Sequence, residues 1–210
     1  MNQRPSILIV LALVFLAASA AHAQMPRDLH HHRIMKQLSS PVKQSTARDW
    51  RGLGPRLGTN EMLIGHVYNI DLSDLIRLRS IQALAFFSTK RSQQFLWQVV
   101  YDRFLTDDYK RMALTSLGGA FQETVMLELA RFLKKESPSL RAGAISGLGL
   151  VRNSRARSIL EGHLPDEADI DLRMSCERAI AQVAAWEKSE ELGRLETLRG
   201  AQIPVIGEIP

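Results

Sequence analysis

The chain has 210 residues, of which 45% are hydrophobic, and a formal net charge of +5. This content is enough for an apolar core, and the single cysteine, Cys176, excludes an intramolecular disulfide. The positive charge belongs to one segment, because residues 24–60 carry a net charge of +5 and residues 61–210 carry −1. A basic groove for nucleic acid is therefore not expected in the larger, nearly neutral part of the chain.

The first residues have the pattern of a secretory signal peptide. Residues 1–4 are polar and include Arg4, residues 7–20 are almost wholly apolar, and Ala21-His22-Ala23 is a small-x-small cleavage pattern. The apolar core is shorter than the roughly 20 residues that span a bilayer as a helix, so we predict a cleaved signal over residues 1–23 rather than a retained anchor. The mature protein is then expected to be exported across the inner membrane, most simply to a bacterial periplasm.

Residues 24–70 are predicted to be an N-terminal arm and linker that is basic and rich in proline and glycine, with one short helix near residues 28–38. Residues 52–58 are interpreted as a turn-rich linker, since no Lys-Ser/Thr pair follows their glycines as in a phosphate-binding loop. The charge of residues 24–60 suits an anionic envelope surface, and a solvated, partly disordered leader explains it equally well.

The arm also contains three consecutive histidines, His30, His31 and His32. Neutral imidazole is a common ligand of transition metals, but three consecutive side chains diverge, and no cysteine or carboxylate cluster adjoins them. We therefore predict no metal site and no cofactor. His66 and His163 are isolated, and the sequence contains no metalloprotease or nucleophile-elbow motif. The residue pattern favours a protein that is not an enzyme.

A pattern recurs four times between residues 71 and 199. Each copy begins with a basic residue, here called a repeat anchor, followed by a small residue three positions on, a branched aliphatic residue at seven, and Ala or Gly at eight. The anchors are Arg77, Lys110, Arg141 and Arg173, which are 33, 31 and 32 residues apart. Nineteen residues after them stand Leu96, Leu129, Leu160 and Leu192. This period predicts stacked helical hairpins, because a lone hairpin leaves one apolar face uncovered.

The third copy shows the hairpin most clearly. Ser137 and Pro138 supply an N-cap and a proline at the first helical position, and residues 152–154 make the turn to the second helix. In the fourth copy no Gly or Pro separates Ala181 from Lys188, so a single continuous helix fits this part of the sequence.

Residues 140–149, with the sequence LRAGAISGLG, resemble the signature of short HEAT-like repeats, the type named after phycobilisome lyases. Residues 110–118 are similar, and the resemblance covers about residues 71–199. It implies an all-α fold, a right-handed α-solenoid of about four HEAT-like helical hairpins. The family includes enzymes, scaffolds and chaperones, so the resemblance is informative about architecture and leaves the activity open.

Binding is the function expected of such a solenoid. The resemblance implies that the second helices line the concave face, which makes their residues away from the apolar stripe the candidate partner-binding surface. These are Arg91, Gln94, Trp97, Gln98, Arg131, Arg155, Ser158 and Glu161. The repeat anchors are expected to be structural, because they recur at the repeat period itself. The resemblance also implies that Asp74 and Asp107, three positions before Arg77 and Lys110, can form a ladder with them between successive repeats. We therefore expect a protein partner and a role as an interaction scaffold or adaptor in the cell envelope.

The sequence leaves alternatives for three properties: the function, the oligomeric state and the role of the C-terminal tail. An enzyme or cofactor-handling protein resembling the bilin lyase group would retain a chromophore, a metal or a small molecule. Self-association through an uncapped end of the short solenoid would give a homo-oligomer. The apolar tail, residues 200–210, is too rich in proline for a helix and is expected either to cover the last repeat or to occupy a partner's groove.

Overall fold

The computed structural model describes residues 29–40, 50, 53 and 56–201. The predicted signal peptide and tail residues 202–210 lie outside the described residues. Throughout the described ranges the regular structure is helical, which confirms the predicted fold class. The chain divides into two compact units, Met1–Ala83 and Leu84–Pro210. In the part of the chain that is described, no helix has the length and apolar character needed to cross a bilayer.

The described part of the first unit includes three helices. These are α1 over residues 29–39, α2 over Arg56–Tyr68 and α3 over Asp74–Leu84. Ile34 and Leu38, four positions apart on α1, are both buried, as expected of one apolar helical face. Arg79 of α3 holds the end of α1, because its Nη1 donates to Leu38 O at 2.6 Å and to Ser40 O at 3.0 Å. This part of the basic arm is therefore folded rather than a solvated leader.

The predicted linker at residues 52–58 is shorter than expected. Helix α2 begins at Arg56, so Gly58 is helical. An added Cβ at Gly58 would meet nothing within 4 Å. The space around this position therefore does not require a glycine. Residues 52, 54 and 55 of the predicted linker lie outside the described residues.

The second unit contains the remaining repeat helices, since α3, with the first anchor Arg77, belongs to the first unit. They are α4 (Lys90–Tyr101), α5 (Asp107–Phe121), α6 (Glu123–Phe132), α7 (Pro138–Leu150), α8 (Ser154–His163) and α9 (Ile170–Ala201). The predicted cap of the third copy is confirmed, since Ser137 Oγ accepts from Leu140 N at 3.4 Å and Pro138 is the first helical residue. Asn153 caps α8 by accepting from Arg155 N at 2.8 Å, which satisfies one of the N–H groups that a helix start leaves unpaired.

The positions that recur in the sequence form the core. Ala113, Ala144 and Cys176, three residues after their anchors, are completely buried. So are the three leucines nineteen residues after the first three anchors, Leu96, Leu129 and Leu160. The repeat period therefore identifies the apolar residues that one hairpin presents to the next.

Glycines allow the first helices of neighbouring copies to approach closely. A Cβ on Gly118 of α5 would overlap the backbone carbonyl of Gly147 in α7, and a Cβ on Gly149 would lie 2.8 Å from the Cβ of Ala179 in α9. A methyl group at either position would push two helices apart. The sequence pattern of small residues thus sets the spacing between repeats.

A single residue, Gln122, connects α5 to α6 and has a positive φ of 53°. A non-glycine residue is uncommon in this region, and the side chain of Gln122 explains how it is held. Its Nε2 donates to Gly119 O at 2.8 Å and to Leu150 O at 3.2 Å. Its Oε1 accepts from Arg152 N at 2.8 Å. The turn of the second copy is therefore bonded to the turn of the third.

The fourth copy is one long helix and not a hairpin. Helix α9 has 32 residues, and from 188 to 196 every residue is exposed. Leu192, which corresponds to the buried leucines of the earlier copies, is 52% exposed. The absence of Gly and Pro between Ala181 and Lys188 thus correctly predicted one continuous helix.

Candidate partner-binding surface

Three of the four repeat anchors donate to backbone carbonyl oxygens that precede their own helix. The bonds are Arg77 Nε to Val67 O at 2.9 Å, Arg141 Nη1 to Lys135 O at 3.0 Å, and Arg173 Nη2 to Glu167 O at 2.8 Å. Carbonyls at the end of a helix or in a turn lack a helical partner, and a planar guanidinium can supply several donors at once. The geometry therefore gives these anchors a structural role at the junctions between helices.

The acidic and basic pairs of the expected ladder lie within single helices. Asp74 pairs with Arg77 at 3.1 Å and Asp107 with Lys110 at 3.6 Å, each three residues apart. Asp107 also accepts a hydrogen bond from Ser137 Oγ of the next copy. At this end of the helices the two copies are thus linked by Asp107 and Ser137, whereas the anchor Lys110 pairs within its own helix.

Arg141 makes one of the ion pairs that join the third copy to the fourth, beside the pair of Arg157 with Glu187. Its Nε and Nη2 donate to the two carboxylate oxygens of Glu167 at 2.9 and 3.0 Å. Glu167 is only 2% exposed, and it also accepts from Asp169 N at 3.1 Å and lies 3.2 Å from His163 Nε2. A buried carboxylate is stable only with such partners.

Burial by itself would raise the pKa of Glu167, but hydrogen bonds from Arg141, Asp169 and His163, and the charge of Arg141, outweigh it and hold the pKa below its usual value. The hydrogen bonds to Glu167 likewise raise the pKa of Arg141. The sequence pattern did not identify Glu167, because the positions six residues before the other anchors are Asp71, Phe104 and Lys135. A residue that does not recur carries no signal at the repeat period.

The residues predicted to form the partner-binding surface all lie on second helices. Arg91, Gln94, Trp97 and Gln98 belong to α4, Arg131 to α6, and Arg155, Ser158 and Glu161 to α8. All are exposed except Trp97, which is partly buried. Their place on the surface agrees with the prediction, and their binding role stays a prediction.

Trp97 belongs to an aromatic cluster that joins two second helices. Its ring stacks on Tyr101 of α4 at 5.9 Å and on Phe132 of α6 at 6.2 Å between centroids. Tyr101 and Phe132 are 6.0 Å apart, and all three spacings are usual for aromatic pairs. Phe132 is buried, whereas Tyr101 is 62% exposed. Trp97 therefore packs against the next copy and also contributes to a partly exposed aromatic surface, which consists of Trp97, Tyr101 and Phe132.

Charged groups surround this aromatic surface. Tyr101 Oη donates to Glu128 Oε1 at 2.7 Å, and Arg131 Nη1 donates to the other oxygen at 2.7 Å. Burial, followed by the hydrogen bond to Glu128 and its charge, raises the pKa of Tyr101 to about 12. Lys135 Nζ lies 5.8 Å from the centroid of the Phe132 ring, a cation–π distance. Tyr101 is thus a neutral hydrogen-bond donor at physiological pH, oriented by Glu128.

Next to the aromatic surface lies a cleft of about 590 Å³ between α6, α8 and the turn before α9. Leu133 and Ile159 contribute apolar lining, and Lys134, Lys135 and His163 contribute polar lining. Lys135 lines the cleft and also contacts Phe132, so the cleft and the aromatic surface are continuous. We call the two together the aromatic–basic surface.

Cations slightly outnumber acids on this surface. Helix α4 contains Lys90 and Arg91 and no acidic residue. On α6 and in its following turn, Arg131, Lys134 and Lys135 are matched by three acids, Glu123, Glu128 and Glu136, of which Glu128 is paired with Arg131. The cleft is also lined by Asp166 and by Glu167, which is paired with Arg141. The cations of α4 thus favour a partner with carboxylates beside apolar side chains.

The three consecutive histidines diverge as predicted, but two of them have partners on α2. His30 Nε2 lies 2.8 Å from Thr59 Oγ1, and the His31 ring lies edge-on to His66 with centroids 5.4 Å apart. His32 is exposed. Burial, and then the proximity of His31, lower the pKa of His66. Sequence reasoning treated His66 as isolated, because 35 positions separate it from His31.

Comparison with known families gives one match. Residues 105–181 match the family model of HEAT repeats, a segment that begins just before α5 and ends within α9. The match confirms the predicted HEAT-like repeats and does not distinguish the phycobilisome-lyase type. No curated protein matches the chain. HEAT repeats commonly mediate protein–protein interactions, which supports a scaffold kind of role and a protein partner.

Proposed function

Because residues 105–181 match the family model of HEAT repeats, we propose that the protein is a non-enzymatic interaction scaffold whose aromatic–basic surface binds a protein partner. The observation that carries the proposal is the partly exposed aromatic cluster, in which Tyr101 remains 62% exposed although it stacks on Trp97. Aromatic residues and arginine are enriched among the residues that contribute most to binding at interfaces. Here Trp97, Tyr101 and Arg131 occur together.

Charge supports a particular kind of partner. The surface presents Arg91, Arg131, Lys134 and Lys135, while Glu128 is paired with Arg131 and Glu136 directly follows Lys135. A partner segment that places aliphatic or aromatic side chains on the cluster and carboxylates beside the cations would complement it. The affinity should therefore decrease as ionic strength rises, since exposed charges are screened.

Export is part of the same proposal. The apolar segment over residues 7–20 and the small-x-small pattern at Ala21-His22-Ala23 support cleavage after Ala23 and a role in the cell envelope, most simply in a bacterial periplasm. The cations of residues 24–60 would favour a location near anionic envelope surfaces. N-terminal sequencing of the mature protein from the envelope fraction tests this, and a chain that still begins at Met1 would contradict it.

A photocrosslinking amino acid at position 101 tests the binding surface directly. Crosslinked partners from the envelope fraction should decrease when Arg131→Glu is added, because the variant reverses a charge beside the cluster. Arg178→Glu is the matched control, since Arg178 is an exposed arginine on α9, where it bonds within its own helix. Equal losses with both variants, or no change with Arg131→Glu, would contradict the proposed surface.

One observation favours the small-molecule alternative, in which the protein handles a cofactor or substrate. The cleft of about 590 Å³ lies within the usual range of ligand pockets, and its mixture of apolar and polar lining is typical of them. Native mass spectrometry of the purified protein distinguishes the two functions. A stoichiometric small molecule that is lost with Ile159→Trp, which fills the cleft, would support the alternative.

A further inference from the structure

The pair of histidines that joins α1 to α2 has the spacing of metal ligands. The rings of His31 and His66 have centroids 5.4 Å apart and planes inclined at 74°. Two imidazoles that share a tetrahedral Zn²⁺ at the usual Zn–N distance of about 2.0 to 2.1 Å have ring centroids about 5 Å apart. The spacing of the two ring centroids is thus close to that of a ligand pair.

His66 provides a second and independent observation. Its side chain is 6% exposed, and its Nδ1 is buried without a hydrogen-bond partner among the described residues. A buried nitrogen that lacks a partner is unfavourable. Coordination of this nitrogen to a metal ion would satisfy it.

We propose that His31 and His66 together bind a divalent transition-metal ion of the Zn²⁺ type. His31 is exposed, so the ion can enter from solvent. The described residues contain no group of three or more His, Cys, Asp or Glu side chains arranged for a metal. The ion would therefore have two protein ligands and keep its other positions for water or for a group of a bound partner.

The site depends on α1 and α2 together and not on the histidine run alone. His30 is engaged with Thr59, and His32 is exposed. A bound ion would link the folded part of the basic arm to α2, and it would stabilise the first unit by mass action, because the unfolded chain separates the two histidines. This proposal is independent of the partner-binding surface, which lies in the other unit.

The test is a calorimetric titration of the whole chain, without an affinity tag of histidines, with Zn²⁺. The wild type should bind one ion per chain, and His31→Asn should weaken binding by about tenfold or more. His32→Asn is the matched control in the same run and should bind as the wild type does. Zn²⁺ should also raise the melting temperature of the wild type and leave that of His31→Asn nearly unchanged.

Histidine-selective ¹H–¹⁵N NMR supplies a readout that does not depend on stability. Addition of Zn²⁺ should shift the ring nitrogens of His31 and His66 and leave those of His32 in place. Equal weakening by His31→Asn and His32→Asn would overturn the proposal, since binding would then belong to the exposed run. A folded wild type that binds no Zn²⁺ would overturn it as well. His66→Asn repeats the test if this variant folds. If it does not fold, His31→Asn decides the test, because position 31 is exposed and the substitution should not disturb folding.

Discussion

Two leucines occupy the same position in successive copies of the repeat and have opposite environments. Leu160 and Leu192 each stand nineteen residues after an anchor, but Leu160 is completely buried whereas Leu192 is 52% exposed. In the third copy, Asn153 caps a second helix that turns back and is covered by α9. In the fourth copy the chain continues in α9 without a turn. The repeat position thus selects the residue type, and the next element decides whether it is buried.

Truncation of the two leucines tests this contrast most strongly. Leu160→Ala should lower the free energy of unfolding by about 2 to 5 kcal/mol, because it removes buried methyl groups and leaves a cavity. Leu192→Ala should change it by less than about 0.5 kcal/mol, as is usual for exposed positions. Urea denaturation followed by circular dichroism measures both. Similar losses for the two variants would mean that α9 is covered in solution, for example by a second copy of the chain.

The close approach of α5 and α7 gives the next largest effect. Gly118→Ala should destabilise the second unit by about 1 to 3 kcal/mol, because the new methyl group overlaps the backbone of Gly147. Gly119→Ala is the matched control on the same helix, where a Cβ would lie at an acceptable 3.4 Å from Leu150. An equal effect of both substitutions would assign the loss to something other than the contact between the helices.

The ion pair of Arg141 with Glu167, between the third and fourth copies, adds a pH dependence. Glu167→Gln should cost about 1 to 3 kcal/mol near neutral pH, since it weakens hydrogen bonds to the charged Arg141. The folded-state pKa of Glu167 lies below its usual value, so its contribution is complete above the unfolded pKa of about 4.3. The contribution disappears as pH falls through the folded pKa.

The difference in stability between the wild type and Glu167→Gln should therefore shrink as pH falls below about 4. Thermal melts between neutral and acidic pH measure this difference. Glu190→Gln is the control at an exposed site on the extended part of α9. Its stability should differ little from that of the wild type at any pH. A constant difference across the pH range would mean that Glu167 does not act through its charge.

The extended part of α9 should respond least. Nothing lies within 4 Å of a Cβ built on Gly193, so Gly193→Ala should raise helix stability by at most about 1 kcal/mol through propensity alone. The far-ultraviolet circular dichroism signal of the Gly193→Ala variant should be slightly larger in magnitude than that of the wild type. A loss of helicity would show that another group occupies the space beside Gly193.

The features that recur every 31 to 33 residues, and local signals such as the helix start at Ser137 and Pro138, could be predicted from the sequence. The long-range contacts of residues that occur once could not. Leu96, Leu129 and Leu160 recur, and their burial follows from the period. Glu167 does not recur, so its ion pair with Arg141 had no sequence signal. His66 meets His31 only because two helices pack together, a relation that spacing along the chain does not encode. On the candidate surface, the exposure of Arg91 and Arg131 could be predicted, but the stacking of Trp97 on Phe132 needed the packing of α4 on α6.

The side chain of Gln122 has a consequence for how such an array can change in evolution. Its amide bonds to Leu150 O and Arg152 N of the following copy, so its own positive-φ turn is stabilised by a neighbour. Excision of the third copy would leave this amide without those partners unless the copy that replaced it ended its first helix in the same way. Duplication or deletion of a repeat in this protein is therefore restricted by a bond across the junction, and the copies are not interchangeable modules.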